Sequence, residues 1–142
     1  MRKRDTKVRR SAVHEAGHIV AAYVIAGVIP KRVVSSSDGL SGATEFIDTD
    51  LNGLSPEDYA TIVMAGSVAV ALCTEGRNAV HSPTDVAKVN QSIPPERLGE
   101  IADRAAGIVQ SMWGELSAIS DVLDREGKIS PSEIGQILRG KK

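Results

Sequence analysis

Residues 11–27 read Ser11-Ala12-Val13-His14-Glu15-Ala16-Gly17-His18-Ile19-Val20-Ala21-Ala22-Tyr23-Val24-Ile25-Ala26-Gly27, and the rest of the chain is best read outward from them. Val13, Ala16, Gly17, Val20, Ala21 and Val24 recur at the i, i+3, i+4, i+7 spacing of one helix face. Asp5 or Thr6 can cap the start, Gly27 suits the end, and Pro30 bars continuation. The expectation is a helix that begins at Asp5 or Thr6 and runs to Gly27. Its small residues permit close approach of a second helix. Within it stands an H-E-x-x-H sequence, His14 to His18. Residues four apart lie one turn apart on one helix face, so both imidazoles can reach a single metal ion. Neutral imidazole is a good zinc ligand, and two such ligands leave room for a third and a water. Glu15 is turned away from the ligand face yet stays close enough to take a proton from that water as it attacks a carbonyl. The competing reading is two ordinary helix-flank histidines with a surface glutamate between them.

Beyond Pro30, two short strands are expected at 32–36 and 43–48, joined through Ser37-Asp38-Gly39-Leu40-Ser41-Gly42 as a turn. Two strands cannot stand alone, so they must pack on a helix. Ser55, Pro56, Glu57 and Asp58 form a strong helix start, followed by the almost wholly apolar segment 62–73, a buried central helix. Ser82-Pro83-Thr84-Asp85 repeats that start, predicting a helix from about 83 to 91, before Pro94-Pro95 interrupts. Leu98, Ile101, Ala105, Ile108, Met112, Leu116, Ile119 and Leu123 keep one helical period, predicting a single long helix closed by Gly127. Ser130-Pro131-Ser132-Glu133 is a capping-box start for a last helix to about Leu138. The fold class is therefore mainly α with a small β-hairpin (α+β), a helical bundle built around the H-E-x-x-H helix.

A chain of 142 residues makes one domain, 1–142, and shows no repeat or linker. Aromatic residues are confined to Tyr23, Phe46, Tyr59 and Trp113, so the core must come from Ala, Val, Ile and Leu. So few aromatics also argue against a platform for stacking nucleic-acid bases. The net charge of −1 gives no general attraction to nucleic acid or anionic membrane. Residues 1–10 hold six basic and one acidic side chain, which leaves a net −6 for the remainder. Residues 1–7 read as a frayed basic end. Cys73 is the only cysteine, which excludes an intrachain disulfide and an all-cysteine metal site and fits a reducing cytoplasm. The apolar stretches 19–29 and 62–73 fall short of the roughly 20 residues that span a bilayer, and no signal-type core follows the basic end. The expectation is a cytoplasmic protein with no membrane insertion.

A zinc site built on His14 and His18 needs a third protein ligand. Asp85, His81, Glu75, Asp58 and Glu57 are the candidates C-terminal to the motif. Asp58 and Glu57 are already explained as first-turn acids of their helix, and the chemistry alone leaves Asp85 and His81 open.

His14-Glu15-Ala16-Gly17-His18, preceded by Ser11-Ala12-Val13 and followed by Ile19-Val20-Ala21-Ala22, resembles the zinc-peptidase domain of the FtsH-type ATP-dependent proteases. Pro30-Lys31-Arg32-Val33-Val34 is similar to that family's short hairpin after the metal helix. Ala65-Gly66-Ser67-Val68-Ala69 stands where the family has a Gly-Gly-Arg-Ala-Ala-Glu-like helix, and lacks its Arg and Glu. Ser82-Pro83-Thr84-Asp85-Val86 is similar to a Gly-Ala-Ser-Asn-Asp-Leu segment whose Asp is the third zinc ligand. The segment 119–137 resembles the family's C-terminal helical end. By position, the resemblance implies His14, His18 and Asp85 as zinc ligands and Glu15 as general base. No G-x-x-x-x-G-K-[ST] loop occurs, so no nucleotide is expected, and the reading is a peptidase domain standing alone without motor or membrane anchor.

The function so implied is a zinc-dependent, ATP-independent endopeptidase acting on unstructured polypeptide. The strands between 32 and 48 would offer an edge to an extended substrate. One alternative is a regulatory peptidase specific for a single partner such as a repressor. Another is a non-catalytic zinc-binding interaction module that retains the fold. The apolar second helix also permits self-association, and the family resembled here assembles as rings.

Overall fold

The computed structural model describes residues 6–35, 42–47, 52–73 and 93–140. It is mainly helical with one small antiparallel sheet, an α+β arrangement. In chain order the elements are α1 (Thr6–Ala26), β1 (Arg32–Ser35), β2 (Gly42–Glu45), α2 (Pro56–Cys73), a 3₁₀ turn (Pro95–Arg97), α3 (Leu98–Ser111), α4 (Trp113–Glu126), β3 (Lys128–Ile129) and α5 (Pro131–Leu138). The helix expected at 83–91 lies outside the described residues, as do the basic residues 1–5.

The punctuation of the helices follows local chemistry. Gly27 ends α1 with φ +69°, and its N–H donates to the Tyr23 carbonyl. Ser55 caps α2 by accepting from the Asp58 N–H at 3.1 Å. Ser130 does the same for α5, accepting from the Glu133 N–H at 3.1 Å. Gly127 closes α4 with φ +79°.

The helix α1 lies at the centre and packs against α2, α3, α4 and both β1 and β2. For that reason burial runs around it rather than along one stripe: Ala12, Val13, Ala16, Ile19, Val20, Ala21 and Ala22 are all buried. Val24, expected on the buried stripe, is 48% exposed in the last turn. The main core joins these residues to Val33, Ile62, Ala65, Ala69, Leu116, Ile119, Leu123, Ile129 and Ile134. Tyr23 and Trp113 pack against this cluster, and Tyr59 against a smaller one around Ile93 and Ile101.

Two features depart from the sequence reading. The long helix predicted from Leu98 onward is two helices, broken at Met112, whose φ −110° and ψ 21° leave the helical region. Ser111 Oγ donates to the Ile108 carbonyl at 2.9 Å, competing with the backbone ladder there. The break lets α3 lie against α2 while α4 lies against α1. The sheet, in turn, is more than a hairpin. β1 pairs with β2 in the register Arg32↔Glu45, Val33↔Thr44, Val34↔Ala43, Ser35↔Gly42, and β3 pairs on its other side through Val33↔Ile129 and Val34↔Lys128. The order is β2-β1-β3, so β2 is an edge strand among the described residues. Among the described residues no helix is long and apolar enough to cross a membrane.

Candidate metal centre

The site forms where α1 crosses α2. Gly17 permits the crossing: a Cβ on it would fall 2.5 Å from the Ala65 carbonyl oxygen and 3.0 Å from Ala69 Cβ. Only a residue without a side chain allows this approach. The next residue of α2 after Ala65, Gly66, faces the two histidines. A Cβ there would lie 2.8 Å from His18 Nε2 and 2.9 Å from His14 Cε1. The backbone of α2 is therefore a wall against which both rings stand.

His14 and His18 are half-buried, with ring centroids 4.7 Å apart and planes nearly perpendicular. Their Nε2 atoms are 3.1 Å apart. His18 Nδ1–H donates to the Ile62 carbonyl at 2.9 Å, which leaves a lone pair on Nε2 when the ring is neutral. Backbone-bonded Nδ1 with Nε2 turned to a partner is the arrangement of a metal-ligating histidine. Two nitrogens each about 2.0–2.1 Å from one tetrahedral zinc ion stand about 3.3 Å apart. The two Nε2 atoms are within hydrogen-bond distance of each other, and their separation is close to the one a shared ion would require.

Glu15 is only 6% exposed, which removes the reading of a surface glutamate between two flank histidines. Its carboxylate faces the sheet. Thr44 Oγ1 donates to Oε1 at 2.5 Å, and Oε2 lies beside Gly42 and Ser11. Ser35 Oγ donates to Ser11 Oγ at 3.0 Å in the same neighbourhood. Thr44 is the residue that sequence reasoning missed. Its signal is the period-two spacing of Gly42 and Thr44 on one strand face, which becomes meaningful only once the register with β1 is known.

The candidates for a third ligand separate cleanly. Glu57 is 2.5 Å from Arg97, and Asp58 is 2.7 Å from Arg104. Both acids of the α2 first turn are thus ion-paired to arginines of the 3₁₀ turn and α3. A backbone hydrogen bond, and after it Arg97, holds the Glu57 carboxyl below its ordinary 4.5. Asp85, His81 and Glu75 lie outside the described residues. Among the described residues no group of three His, Cys, Asp or Glu gathers to hold a metal ion. The structure brings together His14 and His18, sets Glu15 on the sheet side of the same helix, and removes Glu57 and Asp58 from the ligand set. No family model and no curated protein matches the chain.

Proposed function

We propose that the protein is a zinc-dependent endopeptidase of the FtsH type that hydrolyses unstructured polypeptide without ATP, with His14, His18 and Asp85 as metal ligands and Glu15 as general base. The observation that carries this reading is the histidine pair, with Nε2 atoms 3.1 Å apart and His18 oriented from behind by the Ile62 carbonyl. When bound, zinc supplies a Lewis acid that polarises the scissile carbonyl and makes water nucleophilic near neutral pH.

The chain's own residues supply the rest. Glu15 stands one residue from His14 on the same helix and takes a proton from the attacking water as its oxygen bonds to the carbonyl carbon. It then returns that proton to the leaving amine as the C–N bond breaks, so the carboxylate is regenerated. The outer edge of β2 suits an extended substrate, because strand addition needs free backbone N–H and C=O groups beside the site. A folded substrate offers no such strand, which fits unstructured polypeptide as the substrate class.

The test combines metal analysis with digestion of casein by the pure protein, with and without chelator. Zinc bound near one equivalent and chelator-sensitive cleavage are expected. Glu15→Gln should keep the zinc and lower kcat by about a hundredfold or more. Unchanged cleavage by that variant removes the mechanism. Zinc-loaded wild type without cleavage of casein removes the reading of a general endopeptidase and leaves a peptidase specific for one partner or a zinc-binding module.

A further inference from the structure

Glu15 has to be held as well as present. A glutamate side chain has three rotatable bonds, and a general base is effective only when its oxygen stays within hydrogen-bond reach of the water it serves. On α1 itself Ala16 and Gly17 have no polar side chain and His14 faces α2, while Ser11, one turn earlier, brings its hydroxyl to the Oε2 side of the carboxylate and not to Oε1. The restraint comes from β2.

Thr44 Oγ1 donates to Glu15 Oε1 at 2.5 Å. That is the short end of the range for a hydroxyl donating to an ionised carboxylate, about 2.5–2.7 Å. Thr44 is β-branched, so its hydroxyl has few orientations. Its backbone is fixed opposite Val33, which is 2% exposed and part of the main core. The donor is therefore anchored through the sheet to the core, independently of the helix that bears the acceptor. Two residues earlier on the same strand face, Gly42 leaves room for the other oxygen. A Cβ there would sit 3.0 Å from Glu15 Oε2, 3.0 Å from Ser11 Oγ and 2.9 Å from the Val34 carbonyl oxygen. One residue of the strand holds Oε1, and the absence of a side chain at another leaves Oε2 its place.

We propose that Thr44 is a positioning residue for catalysis, fixing the orientation of the Glu15 carboxylate through the hydrogen bond from its hydroxyl to Oε1. The inference rests on the reading of Glu15 as general base. It predicts that the hydroxyl affects turnover and leaves metal and substrate binding alone.

The experiment compares the full chain, loaded with zinc, as wild type, Thr44→Val, Thr44→Ser and Thr44→Ala, on labelled casein. Zinc content, kcat and KM are measured for each, with circular dichroism to follow folding. Thr44→Val should lower kcat about ten- to a hundredfold, with KM and zinc content within twofold of wild type, and Thr44→Ser should restore most of the loss. Thr44→Ala, which lacks both hydroxyl and branch, should match Thr44→Val and serves in its place should valine disturb the strand. An active wild type with unaltered kcat in the valine and alanine variants overturns the positioning role alone. So does a loss that serine fails to rescue, or one that follows zinc content. A zinc-loaded wild type that leaves casein uncut overturns the reading of a general endopeptidase, and the positioning role argued on it falls with it.

Discussion

Replacing Gly66 by alanine should damage metal binding far more than folding. The added Cβ would lie 2.8 Å from His18 Nε2 and Cε1 and 2.9 Å from His14 Cε1. Comfortable contact between such atoms begins at about 3.5 Å, so the rings must retreat by about 0.6–0.7 Å. His18 is tied to the Ile62 carbonyl at 2.9 Å and cannot follow without straining that bond. Metal–ligand distances tolerate only about 0.2 Å, so the displacement exceeds what a shared ion allows. Zinc affinity should fall about ten- to a hundredfold, or about 1.4–2.7 kcal/mol. For folding, overpacking costs about 1–3 kcal/mol, while alanine in a helix interior recovers about 1 kcal/mol over glycine. The metal-free variant should therefore lose about 0–2 kcal/mol. Competition against a chromophoric chelator measures the first quantity, and urea denaturation of the metal-free protein the second. Gly107→Ala is the control, in an exposed stretch of α3 where an added Cβ meets nothing within 4 Å. It should gain about 0.5–1 kcal/mol and leave zinc affinity unchanged. A Gly66→Ala protein that binds zinc within twofold of wild type would refute the placement of the rings against α2.

Three further outcomes test other parts of the reading. Asp85→Ala should lose bound zinc while His81→Ala keeps it, as metal analysis of each purified variant will show; zinc retained by Asp85→Ala takes that residue out of the ligand set. Ser130→Ala should cost about 1 kcal/mol in chemical denaturation, because the hydroxyl accepts the Glu133 N–H at the start of α5, and a change within experimental error would refute its role as a cap. Glu57 has a carboxyl held below its usual 4.5 in the fold, so its stabilising contribution is present above that value and lost as pH falls through the lowered one. Glu57→Gln should accordingly be less stable than wild type at pH 7, with the gap closing in acid; a gap that widens as pH falls would show the sign to be wrong.

The parts of the fold set by neighbouring residues could be read from the chain alone. The α1 helix with its Gly27 stop, the Ser55 and Ser130 caps, and the Gly127 terminator are local chemistry and stand where the residues put them. The break at Met112 was hidden because the apolar spacing runs through it unchanged, and only the different neighbours of α3 and α4 reveal it. β3 has two residues, too few for any alternation to register. At the site, the i, i+4 rule was enough to place the two imidazoles together. It could say nothing of Thr44, whose meeting with Glu15 depends on strand register across 29 positions of sequence. Glu57 and Asp58 are explained by the chain as first-turn acids of their helix, but their arginine partners could not be read for a related reason, since these lie 40 and 46 residues away.

The centre of the molecule uses one helix for two purposes, and the order of residues along it shows how they are kept apart. Ala12, Val13, Ala16, Ile19 and Val20 are core, while His14, Glu15 and His18 are interleaved with them. With core residues before and after each site residue, rotating or sliding α1 would cost core packing, and such interiors resist deformation. The two imidazoles are therefore held about as firmly as the core itself. Glu15 differs, because its partner stands on β2, an edge strand paired on one side only among the described residues. Any freedom in the assembled site should thus lie between the strand and the helix, at the Thr44–Glu15 bond, more than between the histidines. A polypeptide added to the open edge of β2 would brace that strand on its second side. On the proposed function, the same event that delivers the peptide bond would then steady the Glu15 carboxylate.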